Sequence, residues 1–339
     1  MTIIRFGFVA MSLELKDSSP SKTMTYASFS KLADREAALN RLVQIAETNL
    51  HNTLRILKHC YANDVMMYRM SSKLIPLATH AALEDWNPYP HLSAAFQAIG
   101  QFVKEKSMRV SLHPDHFCVF STPREEVLRN SIKDLDYHVN MLEAMDLDQR
   151  SKCNIHMGGA YGDKEVAAER FVKQFSSLPD RLKHRITLEN DDKTFNVAET
   201  LAAAEEVGVP MVLDIHHYAV NDGGISQQQL IEDYWPRIVA TWERERQRLS
   251  LTEEAQLPVK IHASSPKSVT DPRGHADYVE LGPLLQFLEG AKQYTAAIDC
   301  MLEAKAKDFA LFELMKAMGE QAKHQNNISI LSQGTIELS

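Results

Sequence analysis

Eight short apolar runs alternate with longer segments of helical periodicity through most of this 339-residue chain. The runs that predict strands are residues 3–9, 65–70, 109–113, 152–156, 185–189, 211–215, 259–262 and 295–298. The segments that predict helices are residues 34–58, 93–105, 124–145, 164–176, 197–207, 227–249, about 277–289 and 305–319. This alternation predicts an α/β fold with a parallel sheet, and eight repeats are the number that closes a (β/α)8 TIM barrel. A doubly wound sheet is the alternative, but no Gly-x-Gly-x-x-Gly follows the first strand, which disfavours its dinucleotide-binding form.

No repeat, low-complexity tract or Gly/Ser linker divides the sequence. We therefore predict one barrel domain over residues 1–320 and a C-terminal tail over residues 321–339. Asp34 is a candidate N-cap for the first long helix. Residues 12–33 lack a helical pattern and predict a long loop after the first strand, on the face where barrel loops carry function.

The composition limits the partners and the compartment. A net charge of −8 is unfavourable for binding a polyanion, although bound divalent cations return positive charge locally. The four cysteines are scattered and form no Cys-x-x-Cys pair, which favours a reducing cytosol over a disulfide scaffold or a zinc-thiolate cluster. No apolar run approaches the ~18 residues of a membrane span, and the N-terminus lacks the pattern of a signal peptide. We expect a cytoplasmic monomer with no membrane partner.

The predicted strands end in side chains that can bind metals. Five strand ends and the segment just past the eighth strand carry them: His113, His156, Glu189, Asp214, His262 and Glu303. The carboxyl ends of barrel strands converge on one mouth, where so many imidazoles and carboxylates would need costly desolvation without a compensating cation. A single strand-end histidine is more often an ordinary loop residue. Three histidines and three carboxylates at successive strand ends together indicate a metal cluster. Imidazole and carboxylate without thiolate suit manganese, zinc or iron.

Other histidines are weaker candidates on spacing alone. His216 shares strand parity with Asp214, and His217 follows it, so spacing leaves both open. His275 lies on the loop after the seventh strand, where an exposed loop histidine is an equally good interpretation, and His80 follows the second strand at a distance. The histidines in or beside helical stretches are interpreted as non-functional: His51, His59, His91, His138 and His184.

Lys260 precedes His262 by two residues on the same predicted strand, so both side chains point to the same face. An ammonium beside metal cations is unfavourable, whereas a neutral or chemically modified lysine would be tolerated.

Several blocks of the sequence resemble the ultraviolet damage endonuclease family, which is similar to endonuclease IV and the xylose isomerase-like barrels. The blocks begin at Ile4 (IRFGFVA), Asn49 (NLHNTLRIL), Arg69 (RMSSKLIPL), His113 (HPD), Asn154 (NIHMGG), Leu188 (LEND) and Lys260 (KIHAS). They occur in order and at family-like spacing to about residue 307, and the last thirty or so residues show no resemblance.

The resemblance implies three divalent metals, often Mn²⁺ with Zn²⁺ or other ions as alternatives, and damaged double-stranded DNA as substrate. It implies incision immediately 5′ of a cyclobutane dimer or a 6-4 photoproduct. Carried onto this chain, Glu189 bridges two metals, with His113 and His156 on one and Asp214, His262 and Glu303 on the other. His217, His275 and Lys260 surround the third metal, with His80 as a weaker neighbour. Glu189 and Lys260 are then catalytic, and Lys260 can be carbamylated.

One feature departs from the family pattern. Some relatives carry a Gln-Tyr pair in the loop after the third strand and a Tyr in the first strand, where this chain has His116-Phe117 and Phe8. The resemblance implies that these three residues contact the lesion. Basic loop residues that could bind phosphates are Lys73 and Arg273, with Arg69, Lys267, Lys305 and Lys307.

Two other enzyme classes remain open from the sequence. A metal-dependent sugar isomerase or epimerase of the xylose isomerase-like class would explain the acidic charge directly, but such barrels usually use one or two metals. The second class is an abasic-site endonuclease. A non-catalytic binding protein is the weakest alternative because it would not need this cluster. Retention on a DNA column at moderate salt separates the sugar enzymes from the nucleases.

Overall fold

The computed structural model describes residues 1–114 and 118–339. Its strands are β1 (Thr2–Val9), β2 (Met67–Arg69), β3 (Arg109–Leu112), β4 (Lys152–Ile155), β5 (Ile186–Glu189), β6 (Met211–Asp214), β7 (Val259–Ala263), β8 (Pro266–Ser268), β9 (Asp271–His275), β10 (Ala297–Leu302), β11 (Ile328–Ser332) and β12 (Thr335–Leu338). Strands β1 to β7 and β10 pair in parallel in sequence order, and β10 pairs with β1 to close the ring. The predicted (β/α)8 barrel is confirmed.

Among the residues that the structure describes, the eight long helices around the barrel agree with the sequence pattern, whereas three helices of four to six residues were not predicted, one of them within residues 12–33. In chain order, the helices are α1 (Tyr26–Phe29), α2 (Arg35–Ala62), α3 (Tyr89–Glu105), α4 (Glu125–Ala144), α5 (Lys164–Ser176), α6 (Asp180–Lys183), α7 (Val197–Val207), α8 (Ile215–Val220), α9 (Gln227–Gln229), α10 (Trp235–Arg248), α11 (Leu281–Ala291) and α12 (Lys307–Ala322). The bounds of α5 and α7 are those predicted. Asp34 is the N-cap of α2, because its carboxylate accepts from the N–H groups of Glu36 and Ala37.

The predicted helix over residues 227–249 is interrupted. A π-helical turn, Leu230–Tyr234, separates α9 from α10, and Pro236 stands in the first turn of α10. Proline has no N–H and cannot continue the i→i−4 hydrogen-bond ladder, so the α-helical pattern gives way to a π-turn just before it while the chain stays helical. None of the described helices has both the length and the apolar character needed to span a membrane.

The eighth barrel strand lies further along the chain than predicted. The sequence placed it at residues 295–298, but β10 runs from Ala297 to Leu302. Asp299 lies within this strand, where it is fully buried and pairs with Arg5 (2.6 Å) and Arg109 (2.5 Å) inside the barrel. The shift places Glu303 directly after the strand, at the mouth.

Two hairpins were not predicted. Strands β8 and β9 form an antiparallel hairpin after β7, and β11 and β12 form another at the C-terminus. β12 pairs antiparallel with Thr2–Arg5 of β1, while β2 pairs with Gly7–Val9. Ile336 and Leu338 are fully buried, so this part of residues 321–339 packs on the barrel. The division into a domain and a tail stays a prediction.

Candidate metal centre

Two groups of metal-competent side chains lie at the mouth of the barrel. In the first group, Nε2 of His113 and Nε2 of His156 lie 3.3 Å and 3.7 Å from Oε2 of Glu189. The ligand atoms of these three residues all lie within 4.8 Å of one another. Glu189 ends β5, and the two histidines follow the ends of β3 and β4, so neighbouring strands bring them together.

The second group shares Glu189 and adds Asp214, His262 and Glu303, again with ligand atoms within 4.8 Å of one another. Nδ1 of His262 lies 2.8 Å from Oε1 of Glu189 and 2.9 Å from Oε1 of Glu303. The two oxygens of Glu189 thus face different groups. These are the residues that the resemblance assigns to a pair of metals with Glu189 between them.

Four histidines at the mouth share one hydrogen-bond pattern, in which Nδ1 contacts a main-chain carbonyl. The contacts join His113 to Pro114 (2.8 Å), His156 to Glu189 (3.2 Å), His217 to Asn190 (2.9 Å) and His275 to Glu303 (2.9 Å). Each contact favours the Nδ1–H tautomer as donor and leaves the lone pair of Nε2 available. Metal-binding histidines are commonly oriented by such a bond from the second ring nitrogen.

His217 and His275 adjoin the two groups. The ring of His217 lies 5.6 Å from that of His156 and 6.2 Å from that of His275. His216 shows the opposite pattern, because its Nε2 faces the carbonyl of Arg273 at 3.4 Å and its Nδ1 is buried. The hydrogen bonding therefore favours His217 as the ligand, the choice that spacing alone left open.

The electrostatics of the mouth are dominated by three carboxylates. Burial by itself would raise the pKa of Glu189, but His262 and His156 outweigh it and hold that pKa well below its ordinary value. Burial raises the pKa of Asp214, with Glu189 and Glu303 adding to the effect. Burial by itself would lower the pKa of His217, but Asp214 and Glu189 raise it to about 9. Glu189 and His262 thus favour each other's charged forms, whereas Arg69 is the main group that lowers the pKa of Glu303.

The donor set fits divalent cations. Oδ2 of Asp214 and Nε2 of His262 are buried without a hydrogen-bond partner within residues 1–114 and 118–339. Buried polar atoms are rarely left in that state, and cations would satisfy the carboxylate oxygens while releasing protons from the histidines. Imidazole and carboxylate ligands without a cysteine suit manganese, iron or zinc.

A layer of polar side chains lies beneath the metal-competent residues, and the sequence analysis identified only Lys260 among them. Asn154 donates to Oε2 of Glu189 and accepts from Oγ1 of Thr187 at 2.8 Å. Nζ of Lys260 donates to Oγ of Ser111 at 2.9 Å. Each of these four residues stands two positions before a strand-end ligand. The parity that placed Lys260 beneath His262 would have identified the other three.

Asn154 positions Glu189, which gives a testable prediction. Asn154→Ala removes the amide donor on Oε2 and leaves Thr187 without its acceptor, so Glu189 loses its fixed orientation. Loss of such an outer partner typically lowers metal affinity by about 10- to 100-fold. Titration calorimetry with Mn²⁺ should show this drop, and Asn326→Ala, at an exposed position, should bind as the parent does. Equal Mn²⁺ affinities would remove Asn154 from this role.

Lys260 is buried and faces the barrel interior. Burial, together with the guanidinium groups of Arg109 and Arg69, lowers the pKa of Lys260 to about 7. Arg69 itself pairs with Glu303 at the mouth. The inward orientation expected from strand parity is therefore the one observed.

The other predicted residues lie in different surroundings. His80 caps a short 3₁₀ turn, accepting from the N–H of Ala82, and its ring stacks on Tyr26 at 4.2 Å, outside both groups. Phe8 is fully buried against Tyr68, so its ring has no exposed surface with which to contact DNA. Lys73 and Arg273 are exposed. His116 and Phe117 lie outside the described residues.

A third group, Glu14, His59 and Asp308, also has ligand atoms within 4.8 Å of one another. Asp308 accepts from the hydroxyl of Ser12 and from the N–H of Leu13 at 2.9 Å, and it lies 3.4 Å from Nε2 of His59. These contacts tie the loop after β1 to α2 and α12. This group is accounted for by anchoring of the loop.

Comparison with known proteins identifies the family. Residues 4–338 match the family model described as UV-endonuclease UvdE. The chain belongs to the UV-endonuclease UvdE family. The match includes the C-terminal hairpin, where the sequence alone showed no resemblance.

The relatives agree over nearly the whole length. The chain is 41% identical over 337 residues to a UV DNA damage endonuclease of Halalkalibacterium halodurans, covering 99% of both chains. It is 41% identical over 316 residues to one from Bacillus velezensis, covering 93% of this chain and 94% of the relative. The crystal structure of SacUVDE superposes with a TM-score of 0.76 at 28% identity, covering 94% of this chain and 99% of that one. Endonuclease IV of Thermus thermophilus shares the fold, with a TM-score of 0.51 and 14% identity. The superposition covers 93% of this chain and 99% of the endonuclease IV chain.

Proposed function

We propose that this protein is a metal-dependent DNA repair endonuclease that incises duplex DNA immediately 5′ of ultraviolet photoproducts. The observation that carries the proposal is the pair of side-chain groups joined by Glu189 at the mouth of the barrel. Membership of the UV-endonuclease UvdE family supports a DNA endonuclease, and the donor set supports metal dependence.

The proposed ligands follow the two groups. His113 and His156 would hold one cation, Asp214, His262 and Glu303 a second, and Glu189 both. His217, His275 and Lys260, the last as a carbamate, would hold a third, and Mn²⁺ is the proposed ion. When bound, such ions neutralise charge on the attacking and leaving oxygens of a phosphodiester and promote ionisation of water.

The chain's own residues position the ligands and the substrate. Asn154 orients Glu189, and Arg69 holds Glu303 from the opposite side. A cavity of about 430 Å³ opens beside His156, His217 and His275. Lys193 and Arg273 line it together with Asp191 and Asp192. The side chains of Lys193 and Arg273 would contact phosphates of a strand that enters the mouth. They balance the charges of Asp191 and Asp192, so these four residues together add no net negative charge where DNA would lie.

Lesion selectivity would rest on the deformability of damaged DNA. A photodimer stacks poorly, so extruding it costs less than the few kcal/mol of an intact base. His116 and Phe117 follow His113 in the sequence, and they remain the proposed lesion contacts.

A nicking assay tests the function directly. With Mn²⁺, the purified protein should convert irradiated supercoiled plasmid to the open circle and leave unirradiated plasmid intact, and a chelator should abolish nicking. The 5′ position is checked by mapping cuts in an oligonucleotide with one photoproduct. Faster nicking of depurinated than of irradiated plasmid would favour an abasic-site endonuclease. Failure to nick either DNA would instead favour a metal-dependent sugar isomerase or epimerase.

A further inference from the structure

The hairpin of β8 and β9 presents an apolar side chain at its tip. Val269 stands in the turn between the two strands and is 98% exposed, more than any other large hydrophobic residue that the structure describes. A single exposed apolar residue is ordinary on a protein surface. The position of Val269 is less ordinary, because its hairpin rises from the end of β7, the strand that carries His262.

The tip is held by a network centred on Asp271. Oδ1 of Asp271 accepts from the N–H of Gly274 at 3.1 Å, and Oδ2 pairs with Nζ of Lys267 at 3.1 Å. The N–H of Asp271 donates to Oγ of Ser268 at 3.0 Å. A Cβ at Gly274 would lie 2.5 Å from Oδ2 of Asp271, so a larger residue there would displace the carboxylate that holds the turn. The tip is therefore structured even though it projects into solvent.

The base of the hairpin is joined to the metal-competent residues. His275, at the end of β9, contacts the carbonyl of Glu303 through Nδ1 at 2.9 Å. The carbonyl of Arg273 faces Nε2 of His216 at 3.4 Å, and the N–H of Ala276 donates to the carbonyl of Ser265 at 2.9 Å. The position of the tip is thereby fixed relative to the mouth.

The flanking charges indicate what the tip contacts. Lys267 and Arg273 stand on opposite strands and are both exposed. Lys267 pairs with Asp271 within the turn, and Arg273 lies 3.8 Å from Asp192, which is outside the hairpin. The hairpin thus carries a net positive charge on an acidic protein. A narrow two-stranded ribbon with cationic edges and an apolar tip suits a groove of duplex DNA, where ribbons read bases and apolar side chains act as wedges.

We infer that the β8–β9 hairpin inserts into a groove of the duplex beside the incision site, with Val269 against the bases and sugars and with Lys267 and Arg273 on the flanking phosphates. The inference rests on the proposed function and deepens it. It adds a second contact with duplex DNA, which the hairpin makes separately from the residues at the mouth of the barrel. Single-stranded substrates, which have no groove, should not use it.

The test compares Val269→Asp with Leu331→Asp. Leu331 is also an exposed residue of a hairpin, but it belongs to β11, whose partner β12 pairs with the first residues of β1. Anisotropy with a duplex carrying one photoproduct measures binding, and incision of that duplex and of its single-stranded form measures catalysis. We expect Val269→Asp to weaken duplex binding by about 10-fold or more, with single-strand incision within about twofold of the parent. Leu331→Asp should match the parent in all three measurements.

The outcomes separate the inference from the proposed function. Parent-like duplex binding and incision by Val269→Asp would overturn the hairpin contact while leaving the endonuclease intact. If the parent binds damaged duplex without incising it, the proposed function fails and the binding comparison still decides the inference. If the parent neither binds nor incises, both are overturned. An equal loss on duplex and single strand would also contradict groove insertion.

Discussion

Glu189→Gln should lower the incision rate by about 10²- to 10³-fold or more, because weakly held metal ions would lose several kcal/mol of transition-state charge stabilisation. The substitution keeps the shape of the side chain and an oxygen that can accept from Asn154. It removes the negative charge that the two groups share, so each would hold a cation less firmly. Single-turnover incision of a photoproduct duplex measures the rate, and elemental analysis measures the metal content.

A matched variant separates this effect from a general loss of charge. Glu169→Gln, on the exposed face of α5, removes the same charge far from the mouth and should keep parental activity. Circular dichroism should show that both variants are folded. A Glu189→Gln protein with full activity and unchanged metal content would contradict the bridging role.

The metal-competent residues could be predicted because barrel geometry makes strand ends informative. Each strand end points to one mouth, so His113, Glu189 and His262 are neighbours although they are far apart in sequence. Spacing alone could not decide between His216 and His217, because both follow the end of β6 on the short helix α8. That choice depends on which ring nitrogen meets a carbonyl, and no sequence pattern reports it.

The polar layer below the ligands was missed for a different reason. The side chains of Ser111, Asn154 and Thr187 carry no charge, so their residue types do not indicate a role within apolar strands. Their role depends on contacts across the barrel, such as that between Lys260 and Ser111, which join strands far apart in sequence. The two hairpins were missed because their strands are short and β8 is entirely exposed, with no apolar alternation to indicate a strand.

Phe8 shows where a resemblance can mislead. The first strand was expected to bring Phe8 to the DNA, but the ring is fully buried beside Tyr68. Strand alternation alone cannot decide which positions of a barrel strand reach solvent, because parallel barrel strands are covered on both faces. Accessibility at the mouth depends on the loops that cover it, and residues 10–33 form one such long loop.

Lys260→Ala should lower incision by about 100-fold, the upper range for loss of a residue that supports a metal site. Lys260 is buried beside Ser111, and Arg69 and Arg109 are among the cations that act on it, so a further bound metal ion would oppose an ammonium at this position. A carbamate would replace that ammonium with an anionic oxygen ligand directed at the proposed third cation. The alanine variant should therefore lose about one metal equivalent and keep the pair shared by Glu189.

Two measurements distinguish a carbamate from a merely structural lysine. Protein equilibrated with ¹³C-bicarbonate should give a carbamate carbon signal that is absent from Lys260→Ala. Added acetate or propionate should restore part of the alanine variant's activity, because a small carboxylate can supply the missing oxygen, and it should leave Glu189→Gln unchanged. If Lys260→Ala retains every metal and the parent shows no carbamate signal, Lys260 has no part in binding the third ion, and its contact with Ser111 serves to pack the barrel interior.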